Sequence, residues 1–336
     1  MHLPVDPQLT LPDLLVIKEL LRQNAQENEY STSKDTIQKL KSLNDTSDPE
    51  FDPTVFQFWE TCLLRERLPL PIRQHLLEPY IRWVQGIVRF PTDVVMVTHL
   101  LLYLTTSVPS ALWLYCYHFN WIHGLLHWIV HMHHVEGNWP RDLNSTMWCD
   151  RDSIADFARY VGRFFFPISL DLPVYLLRRS QYYTSFKTAF WELSNYLAIA
   201  LLFRYGQAQV TRCVFLLPLW TLRAGLMAGN WGQHAFVDPN DPLSDFRSSI
   251  TLIDVASNRF CFHDGYHTSH HLHPRRHWRE HPVALLQDQE RYSDERALVF
   301  QNLDYLMLTV KLFRKNYAHL ARCMLPIGAE QRSMTL

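Results

Sequence analysis

The sequence predicts an all-α fold: a membrane-embedded helical protein with a soluble helical N-terminal arm and a histidine-rich cap. Three observations support this. Apolar residues recur at helical spacing in the first 90 residues, an apolar stretch without charged side chains follows at Val94–Leu114, and 13 of the 18 histidines fall within residues 118–134 and 263–281. We therefore expect a soluble helical N-terminal region (1–90), a membrane and histidine domain (91–285) and an amphipathic helical C-terminal tail (286–336).

The composition excludes several classes of protein. The 336 residues are 47% hydrophobic and 13% aromatic, which suffices for a sizeable core and argues against disorder. The formal net charge of -1 provides no basic field, so nucleic acid is not an expected partner. No glycines are spaced G-x-G and no cysteines C-x-x-C, which removes the dinucleotide fingerprint and the zinc ribbon. The first residues lack the pattern of a cleaved secretory signal, and we expect none.

The N-terminal region shows helical periodicity but no pattern of catalytic or metal-binding residues. An apolar stripe at helical spacing is formed by Leu14, Leu15, Ile17, Leu20 and Leu21. Residues 27–53 are polar, which is typical of a linker or an exposed helix. Helices are predicted again at Val55–Leu68 and Leu70–Val88, on either side of Pro69. We assign no catalytic or binding residue to this region.

Apolar segments further along the chain predict contact with a membrane. Val94–Leu114 is long enough to span a bilayer, and the alternative for it is a buried core helix. Ala189–Phe203 and Val210–Met227 are weaker candidates because they contain charged residues. Phe164–Leu177 is short and is expected at the membrane interface. The mean hydropathy of -0.16 limits the membrane part to a minority of the chain, and a final amphipathic helix is predicted at Ala297–Phe313.

Two segments place histidines in rows. Because successive residues of a helix turn by about 100°, one helical face of the first segment carries His123, His127, His131 and His134. The corresponding face of the second segment carries His263, His267, His270 and His271, and Pro274 is expected to end that helix. Between the segments, Asn230 and His234 are four residues apart and also share a face.

Rows of imidazoles on two helices favour a metal site. Imidazole is a good ligand for iron, zinc, copper and nickel, and two rows can hold two metals between them. The chain contains no Glu-x-x-His, which excludes a carboxylate di-iron bundle, and no His-Glu-x-x-His, which excludes the common zinc proteases. The alternative interpretation is a polar or pH-responsive face without metal.

The histidine patterns also carry a family resemblance. H-x-x-x-H stands at His123 and His127, a doublet at His133-His134, Asn-Trp-Gly-Gln-His ends at His234, and H-x-x-H-H begins at His267. Together they resemble the membrane fatty acid desaturase and hydroxylase superfamily over roughly residues 90–285. The last box and the preceding Asn-x-x-x-His are the more specific part of the resemblance, and the first box alone is a weak signal.

The resemblance implies a mostly helical membrane enzyme with two irons on the cytosolic side; if the source is a eukaryote, the expected membrane is the endoplasmic reticulum. The irons would activate O₂ to remove hydrogen from the chain of a lipid or acyl substrate. Electrons would come from a separate donor such as cytochrome b5 or a ferredoxin. Asn230 would hold an iron through water. The implied iron ligands are His123, His127, His133, His134, His234, His267, His270 and His271, with His131 in place of the missing first histidine of the second box.

The first two boxes are closer together here than the family pattern requires. His127 and His131 lie on adjacent turns of one segment, whereas family members separate these boxes by tens of residues. A single crossing at Val94–Leu114 would place the first cluster on the far side of the membrane from a cytosolic N-terminus, and residues 115–131 are too short to return. We hypothesise that one crossing and the genuine first box are missing from this chain, in which case His118, His123 and His127 are not ligands.

The sequence leaves several functions open. The alternatives to a desaturase are a hydroxylase of the same superfamily, a truncated and catalytically inactive relative, and a membrane zinc-binding protein. The basic residues Arg275, Arg276 and Arg279 beside the last box are a candidate docking site for an acidic electron donor. The same cluster would also suit lipid headgroups.

Overall fold

The computed structural model describes residues 9–25, 33–57, 61–106, 132–165 and 167–332. Helices dominate these residues, which confirms the all-α prediction. Among the described residues, the strands β1 (Ile250–Leu252) and β2 (Leu298–Phe300) form a two-stranded sheet. The chain divides into two compact units. The first contains described residues of 1–108, 251–302 and 324–334, and the second contains those of 109–250 and 303–323. The three regions expected from the sequence stay a prediction.

The described helices are short except for two in the second unit. In chain order they are α1 (Leu11–Ala25), α2 (Lys34–Ser42), α3 (Thr61–Arg67), α4 (Leu70–Ile72), α5 (Glu78–Gln85), α6 (Val94–Thr106), α7 (His134–Glu136), α8 (Ile154–Phe165), α9 (Ile168–Arg178), α10 (Tyr182–Tyr205), α11 (Ala208–Thr211), α12 (Leu217–Gln233), α13 (Asp245–Ser248), α14 (Ala256–Phe260), α15 (His267–Leu272), α16 (His281–Gln287), α17 (Gln289–Asp294), α18 (Tyr305–Phe313), α19 (Tyr317–Cys323) and α20 (Ala329–Arg332). The π-helical turns Arg73–Leu77 and Arg212–Leu216 join α4 to α5 and α11 to α12.

Helix α1 shows how the first unit forms. Thr10 caps its first turn, because the Thr10 hydroxyl accepts a hydrogen bond from the Asp13 amide at 3.2 Å. The helix buries Ile17 and Leu20, which belong to the predicted apolar stripe. The helix also buries the polar side chains Asp13 and Glu19, which the apolar pattern does not predict.

The core of the second unit lies between α8, α9 and α12. Its buried residues are Met132, Tyr160, Phe164, Ile168, Leu172, Leu176, Met227 and Trp231. Because α12 ends one residue before His234 and Met132 precedes His133, this core fixes the backbone beside two predicted ligands.

Helix α10 reverses the usual arrangement of apolar and polar residues. The side chains that it buries include Ser185, Thr188, Glu192 and Asn195. Its exposed face is lined by Phe186, Phe190, Leu193 and Leu197. Inside, the Glu192 carboxylate accepts hydrogen bonds from Ser169 at 2.8 Å, from Tyr196 at 2.9 Å and from Arg223. Oε1 of the buried Glu192 carboxylate therefore has three donors, in line with the rule that buried charges are paired and hydrogen-bonded.

None of the helices in the described ranges combines the length and apolar character needed to cross a bilayer. The crossings predicted at Ala189–Phe203 and Val210–Met227 are therefore not confirmed. The first lies in α10, which buries Glu192, and the second contains the buried Arg223. The stretch Val94–Leu114 extends beyond α6 into residues outside those described.

Two other predicted helices begin later than expected. Over Ala297–Phe313, the chain first forms β2, and α18 starts only at Tyr305, after the Asp304 side chain accepts a hydrogen bond from the Met307 amide at 2.8 Å. The helix expected from His263 starts at His267. Phe262 and His263 have φ angles of 54°, which a right-handed helix cannot accommodate.

Gly232 allows α12 to approach α18 closely. A Cβ atom at Gly232 would lie 2.7 Å from the carbonyl oxygen of Tyr305. We expect Gly232→Ala to lower the free energy of unfolding by about 1–3 kcal/mol, because backbone must move to relieve the overlap. The matched control is Gly225→Ala in the same helix, where a Cβ meets nothing within 4 Å and alanine is expected to be neutral or stabilising. Denaturant unfolding of both variants tests this, and equal effects would contradict it.

Candidate metal centre

His133 is held by a carboxylate at the start of α7. The helix ends at Glu136, and Gly137 and Asn138 then take left-handed φ angles of 55° and 63°. This sharp turn allows the following loop to bring Asp142 to the ring of His133. The Nδ1–H of the buried His133 donates to Asp142 Oδ2 at 2.7 Å.

Asp142 is itself fixed by its own loop. Its carboxylate accepts hydrogen bonds from the backbone amides of Asn138 at 3.1 Å and Asn144 at 2.8 Å. The buried Asn138 side chain accepts from the Thr146 amide at 2.7 Å and so closes the loop. The sequence analysis missed Asp142. The available signal was an acidic residue that follows the histidine doublet at short range in the same loop.

His234 follows α12 and is completely buried. Its Nδ1–H donates to the carbonyl oxygen of Ser248 at 2.6 Å. Burial, reinforced by the neighbouring His133, lowers the pKa of His234 to about 3, so its ring is neutral at physiological pH. In a neutral ring that donates through Nδ1, the ligand atom is Nε2, which carries the free lone pair.

His133 and His234 form a pair within the second unit. Their ring centroids are 5.7 Å apart with the ring planes nearly perpendicular. The two rings offer ligand nitrogens within 4.8 Å of one another. Each ring has its Nδ1 engaged by an oxygen acceptor, which is how metal-binding histidines are commonly oriented.

His267 and His271 form a second pair, within the first unit. They stand four residues apart on α15 and are both buried. Their Nε2 atoms are 3.0 Å apart. Two nitrogens bound to one metal at about 2.1 Å, at a right angle to each other, would be separated by about 3.0 Å. The spacing of this pair therefore suits two ligands of one ion.

The other predicted ligands have different surroundings. The ring centroid of the half-buried His134 lies 6.0 Å from that of His133, and the half-buried His270 lies 5.9 Å from His267. His123, His127 and His131 lie outside the described residues, so the closeness of the first two boxes stays a prediction.

Asn230 makes contacts that the sequence did not predict. Its Nδ2 donates to the Tyr160 hydroxyl at 2.6 Å and to the Asn144 carbonyl at 3.4 Å. Burial raises the pKa of Tyr160, so the phenol stays protonated. Both partners are buried, and they fix the orientation of the amide that was predicted to face an iron. The role of Asn230 toward an iron stays a prediction.

Glu136 anchors the segment that contains the His133-His134 doublet through a second set of contacts. Its buried carboxylate accepts a hydrogen bond from Tyr175 at 2.6 Å and pairs with Arg179. Both partners lie at the end of α9. The segment that carries His133 is therefore held by one acidic residue before the turn and by another after it.

Two of the histidines not predicted as ligands have other partners. His277 Nε2 donates to Asp93 at 2.8 Å. His281 is buried with its Nδ1 2.9 Å from the Ser269 hydroxyl. Burial, with repulsion from His270 and His263, lowers the pKa of His281 to about 3. These hydrogen bonds account for the placement of both histidines without a bound metal.

A comparison with known protein families places these histidines in a matched region. The family model described as "Fatty acid desaturase" matches residues 125–300, more than half of the chain and a range that contains all four residues of the two histidine pairs. No curated protein and no solved structure matches. The match agrees with the resemblance seen in the histidine patterns. The chain belongs to the fatty acid desaturase family.

Proposed function

We propose that the protein is an O₂-dependent, desaturase-like oxidoreductase that acts on the hydrocarbon chain of a lipid through a histidine-bound di-iron centre. The observation that carries this proposal is the pair of buried imidazoles in each unit, His133 with His234 and His267 with His271, inside the region that matches the family. Four buried imidazole nitrogen donors of this kind suit iron, and also zinc, copper or nickel.

The residues around such a centre would have different roles. Bound iron would supply the activation of O₂ needed to remove hydrogen from an unactivated C–H bond. His133 with His234 in one unit, and His267 with His271 in the other, would each offer Nε2 atoms to metal. Asp142 and the Ser248 carbonyl keep the first two rings in the tautomer that binds metal. The oriented amide of Asn230 would hold a metal-bound water, and His134, His270 and His131 would complete the set.

The exposed face of α10 supports a lipid environment. Phe186, Phe190, Leu193 and Leu197 are each at least half exposed, while Ser185, Thr188, Glu192 and Asn195 of the same helix are buried. Large contiguous apolar patches are rare on soluble proteins and often mark an interaction or membrane surface. We propose that this face contacts membrane hydrocarbon, which would bring the protein to its lipid substrate. In a eukaryote the endoplasmic reticulum is the proposed location.

A separate electron donor such as cytochrome b5 or a ferredoxin completes the proposal. Arg275 is exposed and Arg276 is half-buried beside the last histidine box, so both suit an acidic partner. Arg279 does not contribute, because its buried guanidinium donates to Asn44 and to the carbonyls of Leu43 and Asp52.

Metal content distinguishes this proposal from the alternatives. We expect iron at a di-iron stoichiometry in the full chain purified in detergent from iron-supplied cells. Most of this iron should be lost in each of four variants, His133→Ala, His234→Ala, His267→Ala and His271→Ala. The control variant His75→Ala, at an exposed histidine, should keep its iron. Elemental analysis provides the measurement. Zinc without iron would favour the zinc-binding alternative, and absence of metal would indicate an inactive relative.

Once iron is present, product analysis after lipid feeding separates a desaturase from a hydroxylase. A new double bond supports the proposal, and a new hydroxyl group supports the hydroxylase. Neither product in the presence of a reduced cytochrome b5 donor would indicate a relative that keeps the metal but not the activity.

Asp142→Asn is expected to weaken metal binding by about 10–100-fold, because His133 would lose the carboxylate that orients its ring. The control is Asp156→Asn, an aspartate of the same unit that pairs with Arg159 at the surface. Competition with a chelator measures the affinity of each variant. Equal affinities for both variants would contradict the assigned role of Asp142.

Membrane contact is tested by placing charges on the exposed face of α10. The double variant Leu193→Glu, Leu197→Glu should bind phosphatidylcholine vesicles at least about tenfold more weakly, because full burial of one leucine side chain in hydrocarbon stabilises by about 1.5–3 kcal/mol. Gln207→Glu with Gln209→Glu adds the same charge at exposed polar positions and should bind like the wild type. Vesicle flotation compares the two, and unchanged binding of the leucine variant would contradict the proposal.

A further inference from the structure

We infer that Asp13, in the first turn of α1, is a positioning residue for the histidine pair His267 and His271. This inference rests on the proposed metal-binding function and extends it to a part of the chain in which the sequence shows no chemistry. The carboxylate of Asp13 is completely buried and lies 253 residues from its partner in the histidine segment.

Asp13 holds the residue that starts the histidine helix. The Tyr266 hydroxyl donates to Asp13 Oδ1 at 2.7 Å, and Tyr266 is fully buried. Tyr266 is the N-cap of α15, so His267 follows it directly. Asp13 Oδ2 accepts a second hydrogen bond, from Thr10 at 2.7 Å, which fixes the carboxylate within α1. The direction in which α15 begins is thus tied to the first turn of α1.

The same turn of α1 contacts the strained residue before the helix. Phe262 and His263 both have φ angles of 54°, a left-handed conformation that non-glycine residues adopt only at a cost. Thr10 Oγ1 lies 3.3 Å from His263 Nε2, and His263 Nδ1–H donates to the Trp278 carbonyl at 3.2 Å. Such a conformation persists only where its surroundings determine it. Thr10 and the Trp278 carbonyl provide those surroundings.

A third contact fixes α1 to this segment. Arg259, in α14, donates to the carbonyl oxygen of Leu9 at 2.8 Å. Gly265 is held in the same turn by the Asn258 side chain, which accepts from the Gly265 amide at 2.9 Å. The segment 258–266 is therefore constrained on one side by its own residues and on the other by α1. Removal of the Asp13 carboxylate would leave Tyr266 without its acceptor and free α15 to shift.

The test measures Co²⁺ binding by the full chain in detergent, with Co²⁺ as a spectroscopic probe, together with thermal unfolding. Asp13→Asn and Tyr266→Phe are expected to weaken Co²⁺ binding roughly tenfold, the lower end of the effect of residues that orient ligands. Tyr266→Phe removes one hydroxyl group only, so it decides the question if Asp13→Asn does not fold.

The matched control is Glu19→Gln, on the same helix. Glu19 is also buried, but its partners Arg22, Gln23, Ser33 and Thr36 all belong to the N-terminal region. The Glu19→Gln variant should destabilise the fold and leave the Co²⁺ affinity within about twofold of the wild-type value. Wild-type affinity in both Asp13→Asn and Tyr266→Phe would overturn the inference while the proposed function stands. An equal loss in Glu19→Gln would overturn it as general destabilisation. Failure of the wild type to bind Co²⁺ would reject the proposed function and the inference with it.

Discussion

The hydrogen bond from a buried imidazole Nδ1 to an oxygen acceptor is the interaction on which the arrangement of the His133–His234 pair depends. A buried ring that could rotate or change tautomer would present its nitrogens to a metal only part of the time. His133 and His234 are prevented from doing so by Asp142 and by the Ser248 carbonyl. The loop after His133 holds the first of these oxygens in place. It does so through the left-handed turn at Gly137 and Asn138 and through the hydrogen bonds that backbone amides donate to the Asp142 carboxylate.

The second unit has a related constraint at Glu192 and Arg223. Removing one partner of a buried ion pair typically costs about 3–5 kcal/mol, because the other charge stays buried without compensation. The pair joins α10 to α12, which leads into Asn230 and His234. Helix α10 can therefore turn its apolar side outward without losing its attachment to the helix that carries the site. A helix held by polar contacts on its inner face suits the membrane contact that we propose for its outer face.

The sequence predicted what depends on local spacing and missed what depends on distant partners. The all-α class and the burial of Ile17 and Leu20 follow from helical periodicity, and the His267–His271 pair follows from a spacing of four. Asp142 and Tyr160 were not predicted, because one depends on a turn with two left-handed residues and the other contacts Asn230 from 70 positions away. The strand β2 was missed for the same reason, since its pairing with β1 joins segments far apart in the chain.

The N-terminal region illustrates the limit of periodicity most clearly. An aspartate among leucines on an amphipathic helix is normally assigned to the solvent side, yet Asp13 is buried and bonded to Tyr266. The family match begins at residue 125, so Asp13 lies outside it while Tyr266 lies within. The hydrogen bond between them therefore joins a part of the chain that the family pattern describes to a part that it does not. The geometry of the last histidine box in this chain thus depends on residues that a comparison of histidine boxes alone leaves out.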